Sequence, residues 1–210
     1  GIFRYNFNRH IALRNNIFYT KVGGSDKLIQ PKEVYANEWF RWYRNMDFTS
    51  HIIEASSLLE LNFLQYDPTG SRKNFTPFVF GGVGVFHFDP TTIYNGIKVH
   101  LHDLNTEGEG WAQYPDRKPY KLTQLCIPFG FGFRYAPNPY INIGLEYGDR
   151  YTFTDYIDDV STSYVSQAEF QQHFADDPAK ADLAWALSVR SDQIDSEGIH
   201  SVTTAPGEQR

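Results

Sequence analysis

The sequence predicts an all-β protein: a small transmembrane antiparallel β-barrel of about eight strands, six of them recognisable, with long extracellular loops and a short helical loop segment. Three observations predict it. Six segments alternate with period two, apolar on one side and mostly polar on the other. The connections between them alternate short and long. Aromatic residues, 14 Tyr, 17 Phe and 4 Trp, make 17% of the 210 residues and gather in or beside those segments.

The opening segment sets Phe3, Tyr5 and Phe7 against Arg4 and Asn6, and the next sets Ile11, Leu13, Ile17 and Tyr19 against Arg14, Asn16 and Thr20. Between His51 and Leu64, Ile53, Ala55, Leu59, Leu61 and Phe63 share one face; Glu54, Ser56, Glu60 and Asn62 share the other. Successive Cβ atoms of a strand point to opposite sides, so each segment has one face suited to lipid and one suited to a polar interior. Pro77 to Phe88 is apolar on both faces, with Gly81, Gly82 and Gly84 between, and its faces stay unassigned. In Leu125 to Tyr135, Leu125, Ile127, Phe129, Phe131, Phe133 and Tyr135 oppose Cys126, Pro128, Gly130, Gly132 and Arg134. Ile141, Ile143, Leu145, Tyr147, Tyr151 and Phe153 oppose Asn142, Gly144, Glu146, Gly148, Arg150 and Thr152. Ser166 to Ser191 reads as helix, with Asp177-Pro178 as cap and first-turn pair ahead of Ala181, Ala184, Trp185, Leu187 and Val189. Asp192 to Arg210, polar and rich in small residues, reads as mobile. The domain reading is one barrel domain over 1–210, with its strands within 1–154 and a loop, helical and mobile segment over 155–210.

The mean hydropathy of -0.48 does not argue against a barrel, because lumen residues and polar loops dilute the lipid-facing ones. No run approaches the roughly 18 apolar residues of a membrane-spanning helix. A net charge of -6 without a basic stripe excludes nucleic-acid binding, and the single Cys126 excludes an intrachain disulfide or a Cys-based zinc cluster. The short connections lie at Asn8 to His10, Asp67 to Phe75 and Ala136 to Pro139; the long ones are Gly23 to Asp47, Asp89 to Tyr120 and the stretch after Thr154. Outer-membrane barrels sort their turns and loops this way, with turns in the periplasm and loops at the cell surface. The orientation places Tyr5, Phe7, Phe63, Tyr66, Phe75, Tyr135 and Tyr140 in a periplasmic girdle. It places Tyr19, Phe48, Tyr120, Tyr147, Tyr151 and Phe153 in an outer one. The charged breaks on the lipid side, Lys21, His51 and Asp149, fall at outer strand ends, where charge costs least.

Inward, the strands present Arg4, Arg14, Arg134 and Arg150 with Glu54, Glu60 and Glu146. A lumen of about eight strands is filled by its side chains, so these seven are expected to pair as a structural polar plug rather than a pore or a catalytic pair. Glu54 and Glu60 face a filled interior instead of the sugar cleft that glycosidase chemistry needs. No Gly-x-Ser-x-Gly elbow marks a hydrolase, although an outer-membrane protease or lipase, or an adhesin, is the alternative class. His100, His102 and Asp103 have spacing that could bind a metal, and Asp155, Asp158 and Asp159 could hold calcium. Both groups read more simply as loop residues, the aspartates pairing with basic residues such as Arg150. No catalytic residue, cofactor or metal site is assigned.

The stretch IGLEYGDRYTFTDYIDDVSTSYV from Ile143 resembles the PorG family of outer-membrane barrels, components of the type IX protein secretion apparatus of Bacteroidota. PFVFGGVGVFHFDP from Pro77, LNTEGEG from Leu104, YKLTQLCIPFGFGFRYAPNP from Tyr120 and RYNFNRHIALRNN from Arg4 agree in order and spacing. The resemblance implies a non-enzymatic eight-stranded barrel in outer-membrane lipid that anchors or positions the periplasmic ring formed by a lipoprotein and its soluble partner. It also implies one further strand before Gly1 and a final strand after Arg210, since six strands would leave two unpaired edges in lipid.

Overall fold

A computed structural model describes residues 1–29, 33, 37–67 and 73–191. The expected mobile segment 192–210 lies outside the described residues. The chain is mostly antiparallel β-sheet: β1 (Ile2–Asn6), β2 (Ile11–Ser25), β3 (Asp47–Asn62), β4 (Phe75–His87), β5 (Pro90–Tyr94), β6 (Ile97–His100), β7 (Thr123–Asn138) and β8 (Ile141–Thr152). Three α-helices accompany it, α1 (Asn37–Arg44), α2 (Gln167–His173) and α3 (Pro178–Ser188). None of the described helices is long and apolar enough to cross a membrane, which says nothing about strands. All six segments read from the sequence are strands. The short β5–β6 hairpin within the long connection after Asp89 is additional: its turn is Asn95-Gly96, both at positive φ, a pairing that matches the twist of the flanking strands.

The sheet runs β1-β2-β3-β4-β7-β8, with β5 branching from β3. By its contacts the chain divides into two compact units. The first comprises Gly1–Thr20, Ile52–His87 and Thr123–Phe153, and the second comprises Lys21–His51, Phe88–Leu122 and Thr154–Arg210. Two of the three short connections are closed by asparagine, and residues 68–72 of the third, Asp67 to Phe75, lie outside the described residues. Asn8 Oδ1 accepts the amides of His10 and Ile11 at 2.8 and 2.9 Å, and Asn138 Oδ1 accepts those of Tyr140 and Ile141 at 2.9 and 3.0 Å. In each case a side-chain oxygen replaces a backbone acceptor and closes the turn.

The first unit's sheet is strongly curled. β2 and β8 are four strand steps apart, roughly 19 Å in a flat sheet at about 4.8 Å per step. Even so, Arg14 of β2 stands 2.6 Å from Glu146 of β8. Arg150 of β8 likewise reaches Glu54 of β3 at 2.9 Å. Side chains stand roughly perpendicular to a sheet, so they converge only if the sheet bends over them.

The curl assigns the faces of β4. Phe78 and Phe80 point to the concave side and cluster with Leu58, while Val79, Val83 and Val85 are exposed on the convex side. Each buried ring faces a glycine, Phe78 opposite Gly132 and Phe80 opposite Gly130. A Cβ there would stand 2.7 and 2.6 Å from the ring tips. The glycines therefore let the two rings lie against β7.

The second unit has a different core. Leu101, Leu104, Trp111, Val165, Phe170, Ala184 and Leu187 are buried together. The helix expected over Ser166 to Ser191 is two helices, because Asp177 precedes a proline and so is excluded from helical backbone. Asp177 lies at φ -140° and its carboxylate accepts the Lys180 amide as the cap of α3. Two residues expected in the outer aromatic girdle are not there. Phe48 packs against the second unit's core, and Tyr120 is buried between Phe88 and Tyr156, stacked on both. Their positions flanking long polar loops resembled interface positions, but the loops fold into a core of their own and take both rings inside.

Candidate functional site

All seven charged residues that the alternation directs to one face, Arg4, Arg14, Glu54, Glu60, Arg134, Glu146 and Arg150, make ion pairs on the concave side of the first unit. Glu60 is the hub and is fully buried. Arg134 Nη2 donates to both of its oxygens at 2.8 Å, Arg4 Nε stands 2.7 Å away and Arg14 Nη1 3.2 Å. Arg14 also donates to Glu146 at 2.6 Å. At the other end of the face Arg150 Nε donates to Glu54 at 2.9 Å.

The register explains why one carboxylate serves three cations. Arg4 and Arg14 are direct cross-strand partners in the β1–β2 pair. Like charges in that position repel, and a buried anion between them turns the repulsion into attraction. Arg134 arrives from β7, across β4, because the sheet is curled. Aromatic faces support the guanidinium groups: Phe78 lies 3.9 Å from Arg134 Cζ and Phe80 4.7 Å from Arg14 Cζ. These two rings were hidden in a segment apolar on both sides. Their pairing with Gly130 and Gly132, which share a face with Arg134, is the sequence signal that could have found them. Asn62 joins the site as well, accepting from Arg134 at 3.3 Å.

A cavity of 420 Å³ opens beside the Glu54–Arg150 pair, bordered by Arg14, Asn16, Phe80 and Glu146 among others. Chemically the face is a set of charge-assisted hydrogen bonds. Glu54 and Glu60 are both held by guanidinium groups, but Glu54 borders this cavity, where the sequence predicted a filled interior.

The other residues singled out by sequence lie in the second unit. His100 Nδ1 is 2.7 Å from Asp89, and His102 contacts Asp103 at 3.3 Å and the Tyr120 carbonyl at 3.0 Å. Asp159 is buried and accepts the hydroxyls of Thr106 at 2.7 Å and Tyr120 at 2.5 Å, while Arg150 is engaged by Glu54. Burial and the neighbouring Asp159 carboxylate push the Tyr120 hydroxyl far above the usual phenol range. Glu107, from the LNTEGEG stretch, accepts the amides of Ser161 and Thr162 and the Thr162 hydroxyl. Glu109 is buried nearby, and desolvation together with Asp159 pushes its carboxyl up to about 7. Among the described residues no three His, Cys, Asp or Glu side chains gather as metal ligands.

A family model described as Domain of unknown function (DUF6089) matches residues 2–175. The chain belongs to the DUF6089 family. The DUF6089 span contains all eight strands, the whole charged network and α2, and stops before α3. Comparison with curated proteins and with solved structures gives no match.

Proposed function

We propose that this DUF6089 protein is a non-enzymatic outer-membrane β-barrel that anchors or positions the periplasmic ring of a type IX protein secretion apparatus. The observation that carries the membrane part is the inverted polarity of the first unit. Its convex face exposes Ile53, Leu59, Leu61, Val83, Leu125, Ile127, Phe129, Phe131 and Phe133, while its concave face buries arginines and glutamates. A sheet in water does the opposite, and so large a contiguous apolar surface fits lipid. The strong curl supports closure. In the described residues β1 and β8 are the sheet's two ends, and a barrel in lipid needs them joined, directly or through further strands.

The secretion role rests on the resemblance of the five quoted segments to the PorG family. In that role the short turns face the periplasmic ring lipoprotein and its soluble partner, and the long connections serve as loops at the cell surface. The test is to extract the full-length protein from its native outer membrane in mild detergent by an affinity tag and to identify what co-purifies by mass spectrometry. Recovery of the two ring proteins supports the role. Recovery of the barrel alone removes it and leaves the barrel standing.

A further inference from the structure

The charged face lacks acceptors. Arg4, Arg14 and Arg134 meet only two carboxylates, Glu60 and Glu146, which leaves one positive charge in excess. The buried donors tell the same story. Among the described residues Arg4 Nη2, Arg14 Nε and the Tyr66 hydroxyl have no hydrogen-bond partner. Arg4 Nε faces the Glu60 carboxylate at 2.7 Å, so the donor of Arg4 that lacks an acceptor is Nη2. Tyr66 lies within electrostatic reach of Arg134 and Arg4, so its orphan hydroxyl belongs to the same end of the face. Buried polar groups in a native protein are satisfied; at Arg4 and its cross-strand partner Arg14 the unsatisfied groups are donors, whereas Asn16 Oδ1, two residues further along β2, is an unsatisfied acceptor.

Position says where the acceptor comes from. Arg4 sits on β1, which pairs with β2 on one side and, among the described residues, ends the sheet on the other. A strand added at that free edge would place one side chain beside Arg4 on the concave face, with Cβ atoms about 4.5–5.5 Å apart. Asp or Glu at that distance reaches a guanidinium group. A carboxylate fixed on a neighbouring strand is already in place, as Glu146 is for Arg14, whereas a free anion must give up its translational freedom.

We infer that the strand pairing with the free edge of β1 carries an acidic residue facing Arg4, and that this carboxylate completes the network. The inference rests on the barrel reading. It goes beyond it by stating the chemistry of the closing strand.

The experiment uses the full-length protein in outer-membrane vesicles carrying Arg4→Lys, treated with a water-soluble carbodiimide. The carbodiimide activates a carboxylate, the introduced amine displaces the resulting urea, and an amide forms with net loss of one water. Peptide mass spectrometry then identifies the acid. The expected product joins position 4 to an Asp or Glu on a strand outside β1–β8. A product with Glu60 alone, or no product from a variant that still migrates as a heat-modifiable barrel, overturns the inference and leaves the barrel intact. Wild-type protein that shows no heat-modifiable migration overturns both. If Arg4→Lys fails to fold, a structure of the wild type in lipid decides: a strand carboxylate within salt-bridge distance of Arg4 supports the inference, and a free anion or a neutral neighbour overturns it.

Discussion

The two units of this chain solve the burial problem in opposite ways. The first buries charge and exposes oil: Glu60 is fully buried, whereas Leu59, its neighbour in the same strand, is 55% exposed. The second buries oil in the ordinary manner, with Trp111 packed edge-on against Phe170 and stacked with His173. One polypeptide thus carries two polarities. Apolar burial drives the second unit, whereas a closed set of hydrogen bonds and ion pairs allows the charged side of the first to leave water.

The largest effect should come from the hub of the first unit. Glu60→Leu leaves Arg4 and Arg134 buried without their anion and should destabilise the sheet by roughly 3–5 kcal/mol, the cost of breaking a buried pair from one side. The check is urea unfolding from liposomes, followed by heat-modifiable migration on gels. A loss below about 1 kcal/mol would mean that water reaches the network, as it does exposed pairs.

Leu59→Arg tests the convex side. In lipid, near the midplane, it should cost about 2–4 kcal/mol. On a water-facing sheet the same change stays within about 0.5 kcal/mol. Insertion yield into vesicles, compared with Leu59→Ala, separates the two and would break the comparison if the arginine were tolerated.

The second unit should respond to pH through Glu109. The folded-state pKa of Glu109, about 7, is raised above the ordinary 4.5 by burial and by Asp159. The folded form therefore holds the proton more tightly than the unfolded form. Its contribution is fully present below about pH 4.5 and is lost as the pH rises towards 7, an effect of a few kcal/mol at most. Hydrogen-exchange protection factors around Trp111, corrected for the intrinsic pH dependence of exchange, should be higher at pH 5 than at pH 8, and Glu109→Gln should flatten that difference. A wild-type profile that is already flat would sink the assignment.

The smallest change is Asp177→Ala. It removes the cap of α3 and should cost about 1 kcal/mol. Limited proteolysis of the second unit should detect it while barrel migration is unchanged.

The charge network shows how much of the site was legible beforehand. The period-two pattern places Arg4, Arg14, Glu54, Glu60, Arg134, Glu146 and Arg150 on one side because strand geometry leaves only two sides. It could not say that Glu60 would serve three arginines, since that depends on β7 bending over β3. Nor could it orient Phe78 and Phe80, for which both faces were apolar and only the facing glycines of β7 break the tie.

The second unit was less legible for a related reason. Polar, glycine-containing connections such as LNTEGEG resemble exposed loops, yet Thr106, Glu107 and Glu109 are buried through contacts with residues about fifty positions away. Phe48 and Tyr120 were drawn inward by the same distant partners. The sequence by itself determined which residues share a strand face, where the turns fall and where α3 begins, because these depend on backbone geometry over a few residues. The tertiary structure alone decided which face is concave, which charges meet and which loops make a core, because those follow from strands and loops brought together across the length of the chain.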